Sequence, residues 1–233
     1  MSELENRIAA LDWPALLRGL DTDGFAVTGP LLSPETCAAL IESYEKDQLF
    51  RSRVVMARHG FGQGEYQYFR YPLPKVISTL RQQLYPQLAP LANRWQESMG
   101  LATRFPDAHA DYIAQCHAAG QQRPTPLLLK YGPGDYNRLH QDLYGEQVFP
   151  LQLTVLLNDG FEGGEFVLVE NKPRSQSRAE VVPLQKGEAV IFAVNTRPME
   201  GSRGSYRVAM RHGVSRIRSG SRYTLGVIFH DAT

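Results

Sequence analysis

Leu139-His140-Gln141-Asp142 is the stretch whose reading decides the fold. On an extended strand, a His and an Asp two positions apart project from the same face. Their imidazole nitrogen and carboxylate oxygen can close on one metal ion. A complete site then needs a third ligand from a distant strand. His212, in Met210-Arg211-His212-Gly213-Val214, is the candidate. Ten residues further on, Arg222, in Gly220-Ser221-Arg222-Tyr223-Thr224, offers a fork that binds a carboxylate through two hydrogen bonds.

His-x-Asp is a short motif, and the chain contains a second one, His109-Ala110-Asp111. That pair falls in 107–119, which reads as helix, where positions i and i+2 diverge by about 200°. Such a pair cannot chelate one ion, and His117 does not complete it. His109, Asp111 and His117 are therefore read as packing or surface residues. Around His140 the texture differs. From Leu127 onward, short β-rich runs follow each other between Gly, Pro, Asn and Asp: 127–131, 140–142, 148–157, 165–170, 179–183, 189–194, 207–212 and 223–229. About eight short strands at this spacing predict a sandwich or jelly roll. Two His and one carboxylate on one face of a metal, with the other positions open, is the arrangement of non-haem Fe(II) oxygenases.

The first 126 residues read as mostly helical support. An amphipathic helix is expected over 4–20, divided or restarted at Pro14. A short strand follows at 25–28. Ser33 reads as an N-cap with Pro34 at the first helical position, starting a helix to about residue 48. Residues 51–56 and the aromatic run 65–71 read as strands. Tyr66 and Tyr68 share a face, either packing on the core or lining a substrate entrance. Long and short helices are expected at 75–99, bent around Pro86 and Pro90, and at 107–119. His59-Gly60-Phe61-Gly62-Gln63-Gly64 is glycine-rich but lacks the strand–helix context of a phosphate loop. No linker or repeat divides the chain. The expectation is one α+β domain over 1–233, with a jelly-roll core in 127–233 flanked by N-terminal helices.

Composition sets further bounds. The 233 residues are 42% apolar and carry a net charge of +1, so no global field recruits nucleic acid or a membrane. Locally, residues 197–222 hold seven Arg and a single acid, Glu200. Arg197, with Arg203 and Arg207, is a candidate contact for an anionic substrate at the entrance; a solvated loop is the other fate of such charges. Only Tyr206 supplies an aromatic ring among them. Cys37 and Cys116 have no metal-knuckle spacing and read as reduced thiols. No apolar run approaches the ~18 residues of a membrane span. A cytoplasmic location is expected.

Taken together, Tyr131-x-x-Gly134, His140-x-Asp142, Gly163-Gly164-Glu165, Gly187-x-x-x-x-Phe192, His212 and Arg222 resemble the Fe(II)/2-oxoglutarate-dependent dioxygenases. The resemblance covers roughly residues 127–230. Asp23-Gly24-Phe25 and Ser33-Pro34 resemble the prolyl-hydroxylase-type entry to that fold. The whole chain resembles a bacterial family of such oxygenases described as acting on damaged DNA. The resemblance implies a double-stranded β-helix, with His140, Asp142 and His212 as iron ligands. Arg222 becomes the partner of the C5 carboxylate of 2-oxoglutarate, assisted by Tyr131 and Thr224. For Tyr131, a core aromatic role stays open beside this one. The implied cosubstrates are 2-oxoglutarate and O2, and the outcome is hydroxylation or oxidative demethylation. Arg216-Ile217-Arg218-Ser219-Gly220-Ser221-Arg222 departs from the Arg-x-Asn-x-Thr-x-Arg run of AlkB-type nucleic-acid demethylases. Protein side chains and small metabolites thus stand beside alkylated nucleic acid as substrates. A non-catalytic jelly-roll sensor that keeps the pocket is the competing class. The loops 60–64 and 195–206 are candidate covers for the site.

Overall fold

A computed structural model of the chain describes residues 1–202 and 204–233. Helices α1 (Glu3–Ala9) and α2 (Trp13–Asp23) lead into strand β1 (Phe25–Pro30). After α3 (Pro34–Glu42) come β2 (Phe50–Val55), β3 (Gly62–Gln63) and β4 (Glu65–Phe69). Two further helices, α4 (Lys75–Ser98) and α5 (His109–Ala118), precede the main β region. That region runs β5 (Leu127–Tyr131), β6 (Tyr136–His140), β7 (Leu151–Leu156), β8 (Glu162–Gly163), β9 (Phe166–Asn171), β10 (Arg178–Val182) and β11 (Glu188–Ala193). It ends with β12 (Thr196–Gly201), β13 (Gly204–Val214), β14 (Ile217–Ser219) and β15 (Arg222–Ile228).

Local chemistry accounts for the element ends. Pro14 sits in the first turn of α2, so it opens a second helix instead of bending the first, and Asp12 caps it through the Ala15 N–H. Ser33 caps α3 as its position predicts, accepting from the Thr36 N–H. α3 stops at Glu42, and tight 3-10 turns replace the last turns expected to residue 48. α4 continues through both Pro86 and Pro90.

The strands build a jelly roll from two antiparallel sheets. One has the order β1-β11-β7-β15-β5-β4-β2, the other β10-β9-β13-β6-β3 with β12 paired to β13. The N-terminal residues therefore supply strands as well as helices, extending the first sheet at both edges. Strand pleating sorts the residues of that sheet. Leu128, Leu151, Leu153, Val155, Leu225 and Val227 join the core beneath α4. Their neighbours Leu129, Tyr131, Gln152, Thr154, Arg222 and Thr224 line a cavity between the two sheets. Polar residues inside the apolar runs Leu151–Leu156 and Arg222–Ile228 thus have a place to point.

The decoy pair behaves as helical spacing requires. His109 is buried in α5 and donates from Nε2 to the Phe229 carbonyl at 2.9 Å, while Asp111 faces solvent. His117 pairs at 2.9 Å with Asp231, which also binds Arg81 at 3.0 Å. A second buried ion pair joins Arg197 to Glu170 at 2.6 Å. Arg197 also donates to the Asp21 and Thr22 carbonyls and is fully enclosed. It ties α2 to the second sheet and does not reach the cavity, which overturns its expected place at a substrate entrance. The segment 195–206 likewise forms most of the β12–β13 hairpin and not a cover, Arg203 lying outside the described residues.

Removing one partner of a buried pair strands the other charge, at a cost of about 3–5 kcal/mol. Glu170→Ala should lose that much stability in urea unfolding; a loss below ~1 kcal/mol would remove the pair from the fold's supports. Two buried histidines set the pH response. Burial, with the nearby Arg81 charge, lowers the pKa of His109 and of His230 from 6.5 to about 4. The Phe149 N–H donates to His230 Nδ1 at 3.2 Å, so that nitrogen must stay unprotonated. Between these pKa values the unfolded chain binds more protons than the folded one. Stability should be whole above pH ~6.5 and decline toward pH ~4, and His109→Gln should flatten the decline.

Candidate active site

Three side chains meet where the two sheets face each other. His212 on β13 and His140 at the end of β6 are directly opposite in the strand register. Their ring centroids are 4.2 Å apart. Asp142 lies just past the end of β6, in the coil that follows, and not on the strand as expected. The chain turns there and brings the carboxylate to both rings. Its oxygens are 3.5 Å from His140 Nε2 and 3.3 Å from His212 Nε2. All three potential ligand atoms lie within 4.8 Å of one another.

The surroundings aim these groups. His140 Nδ1 sits 2.7 Å from the Arg138 carbonyl, which can only accept. Nδ1 therefore donates to that carbonyl, which fixes the ring so that Nε2 faces Asp142. The His212 ring lies against Phe192 and Phe166, with centroids at 4.7 and 6.0 Å. Asp142 is held by donors on both oxygens: Tyr144 Oη at 2.8 Å and Gln152 Nε2 at 2.9 Å. Burial alone would raise the Asp142 pKa, but hydrogen bonds and charge from the two histidines hold it well below the carboxylate range. Burial and the Asp142 charge push the Tyr144 phenol far up, so it remains a proton donor.

On the cavity's other wall, Arg222 of β15 pairs in register with Tyr131 of β5. The guanidinium is 2% exposed, yet Nε and Nη1 have no hydrogen-bond partner. Burial lowers its pKa to about 10, leaving it charged at neutral pH. The Tyr131 hydroxyl is also buried without a partner. A buried cation with idle donors, beside an idle hydroxyl, fits an anionic ligand that completes both. Gly164 makes room for that cation. It adopts φ +67°, and a Cβ there would lie 2.2 Å from Ile217 Cδ1 and 2.8 Å from Arg222 Cδ. The donor set of two imidazoles and a carboxylate fits a divalent first-row metal such as Fe(II).

The cavity, about 390 Å³, touches His140, Asp142, His212, Arg222, Tyr131 and Thr224 together. Tyr66 lines it as well. Tyr68 does not: it is buried behind Tyr144, its hydroxyl 3.1 Å from the Tyr144 hydroxyl, so it supports Asp142 from a second layer instead of lining an entrance. Sequence reasoning missed Tyr144 and Gln152. The available signal for Gln152 was a polar residue, followed by Thr154 two positions on, in the apolar run Leu151-Gln152-Leu153-Thr154-Val155-Leu156.

Residues 64–232 match the model of a family described as an oxygenase catalysing oxidative methylation of damaged DNA. Two uncharacterized proteins from strains of Mycobacterium tuberculosis are each 51% identical over 167 residues, covering 70% of this chain and 72% of theirs. The fold is similar to that of a Pseudomonas putida prolyl-4-hydroxylase, at 16% identity, TM-score 0.52 and coverage of 92% of this chain and 96% of that one. It is also similar to HygX from Streptomyces hygroscopicus, solved with nickel and 2-oxoglutarate bound, at 16% identity, TM-score 0.51 and coverage of 91% and 85%. No helix among the described residues is long and apolar enough to cross a membrane. With the family model spanning most of the chain, this chain belongs to the oxygenase family described as catalysing oxidative methylation of damaged DNA.

Proposed function

We propose that His140, Asp142 and His212 hold the Fe(II), that Arg222 binds the C5 carboxylate of 2-oxoglutarate, and that the oxidation falls on a damaged base of DNA. One observation carries the site assignment: a two-imidazole, one-carboxylate cluster and a buried guanidinium with idle donors open onto the same cavity. The DNA substrate rests on the family description. When bound, Fe(II) with 2-oxoglutarate and O2 supplies the oxidation of a C–H bond to C–OH, with release of succinate and CO2. If the carbon oxidised is an N-methyl group, the product sheds formaldehyde, so one site serves hydroxylation and demethylation.

The chain's own residues do the positioning. Arg222 fixes one end of the dicarboxylate, and its fork favours two parallel hydrogen bonds over one. The Tyr131 hydroxyl, free of protein partners, donates to the same ligand, and Thr224 on the Arg222 strand adds a second hydroxyl to that wall. Tyr144 and Gln152 stop the Asp142 carboxylate from rotating, which fixes the oxygen it offers. Leu127, Leu129 and Phe166 keep the walls apolar and limit water around the reacting carbon. The two unpaired, buried thiols Cys37 and Cys116 fit a reducing compartment, and we place the protein in the cytoplasm.

Two outcomes test these roles. Purified protein should convert 2-oxoglutarate to succinate in an Fe(II)-dependent reaction. Asp142→Ala should reduce turnover at least a hundredfold, while Asp111→Ala, in the decoy motif, should match the wild type. Full turnover in Asp142→Ala would sink the ligand assignment, and a wild type that binds 2-oxoglutarate but never turns it over would be a sensor. Arg222→Ala should weaken 2-oxoglutarate binding by tenfold or more in calorimetry, the loss typical of a charge-assisted pair. Unchanged affinity would return Arg222 to a structural role.

A further inference from the structure

The mouth of the cavity carries a feature that neither the metal cluster nor the cosubstrate wall uses. Among the described residues, eight large hydrophobic side chains are exposed, and three of them stand at this one mouth: Phe61 at 47%, Leu139 at 45% and Leu143 at 50%. Exposed apolar groups gathered at a cavity entrance mark a binding surface. Phe61 is further extended by His59, whose ring stacks on it at 5.3 Å and 22°. Beside this platform is Arg138, which is exposed and forms no salt bridge among the described residues. Among the described residues it is the only charged side chain lining the cavity apart from Asp142, Arg222 and the two histidines.

The backbone fixes this rim to the metal strand. The Arg138 N–H donates to the Phe61 carbonyl at 2.8 Å, and the Arg138 carbonyl accepts from His140 Nδ1 at 2.7 Å. Gly62 pairs with Asn137 across β3 and β6. At φ +139°, a Cβ on Gly62 would lie 2.2 Å from the Tyr136 carbonyl oxygen, so glycine permits the approach. The segment expected to be a glycine-rich loop thus includes a strand pairing that holds an aromatic face and a cation side by side.

We infer that Phe61 and Arg138 form a subsite for one unpaired nucleotide, the base stacked on Phe61 and the phosphate held by Arg138. This rests on the DNA reading of the preceding section. A flat ring takes a base of any sequence, and a lone rim cation beside it matches the phosphate of the same nucleotide. The depth of the site sets the strand form. Of the three grouped side chains, His140 is 34% exposed, while Asp142 and His212, at 12% and 7%, lie deeper than a base held in a duplex brings its edge. Single-stranded DNA, or an extruded base, can.

The test uses anaerobic protein loaded with Fe(II) and 2-oxoglutarate, and a fluorescent single-stranded oligodeoxynucleotide read by anisotropy. Wild type should bind the single strand more tightly than its duplex. Phe61→Ala and Arg138→Gln should each weaken binding on the order of tenfold, and Phe61→Trp should restore it. Arg138→Gln should also lower the slope of log K against log salt by about 0.7, which Phe61→Ala should not. The visible band of the Fe(II)–2-oxoglutarate complex should persist in all variants, showing an intact fold and cosubstrate site. Variants that both bind DNA as well as wild type, or a wild type that prefers the duplex, would overturn the subsite alone. Wild type with the visible band but no DNA affinity would overturn the subsite and the DNA substrate together.

Discussion

A buried charge without a partner is the constraint on which this structure turns. Arg222 is enclosed by Tyr131, Phe161 and the strand backbone, and stays charged with two nitrogens idle. Such a group is costly unless a counter-ion arrives. The fold spends a glycine, Gly164, to admit it and a cross-strand tyrosine to flank it. Across the cavity the opposite charge is treated differently. Asp142 already has two imidazoles and two neutral donors, Tyr144 and Gln152. One wall is satisfied by protein groups, and the other leaves a buried cation with idle donors.

The pleat of the first sheet makes both walls possible. Its odd-numbered β7 residues bury beneath α4 while Gln152 and Thr154 face the cavity. Helices therefore stabilise the back of a sheet whose front is free to carry chemistry. The ion pairs Arg81–Asp231 and Arg197–Glu170 sit away from the cavity and hold the helical layer and the second sheet in place.

Much of this was legible in the sequence, for identifiable reasons. The spacing of short β runs after residue 127 reflects strand length directly, so the jelly roll could be read. His140, Asp142, His212 and Arg222 could be singled out as candidates from their spacing, and the strand register brings His140 opposite His212. Helical geometry also dismissed His109 and Asp111. Other positions were illegible because their meaning is tertiary. Arg197 looks like any loop arginine until Glu170, 27 residues away, is placed against it. Tyr68 shares a face with Tyr66, but only the packing of Tyr144 decides which of them meets the cavity. The Gly60–Gly64 segment read as a loop because glycine content alone does not reveal that Gly62 pairs with β6.

The most direct test of the shared cavity is an anaerobic titration of the Fe(II)-loaded protein with 2-oxoglutarate, followed by visible absorption. If the His-Asp-His cluster and Arg222 serve one ligand, a metal-to-ligand charge-transfer band will grow with 2-oxoglutarate. It will be absent in His212→Ala and will require much higher 2-oxoglutarate in Arg222→Ala. A folded, iron-loaded wild type that never develops the band would contradict the assignment of this cavity to Fe(II) and 2-oxoglutarate.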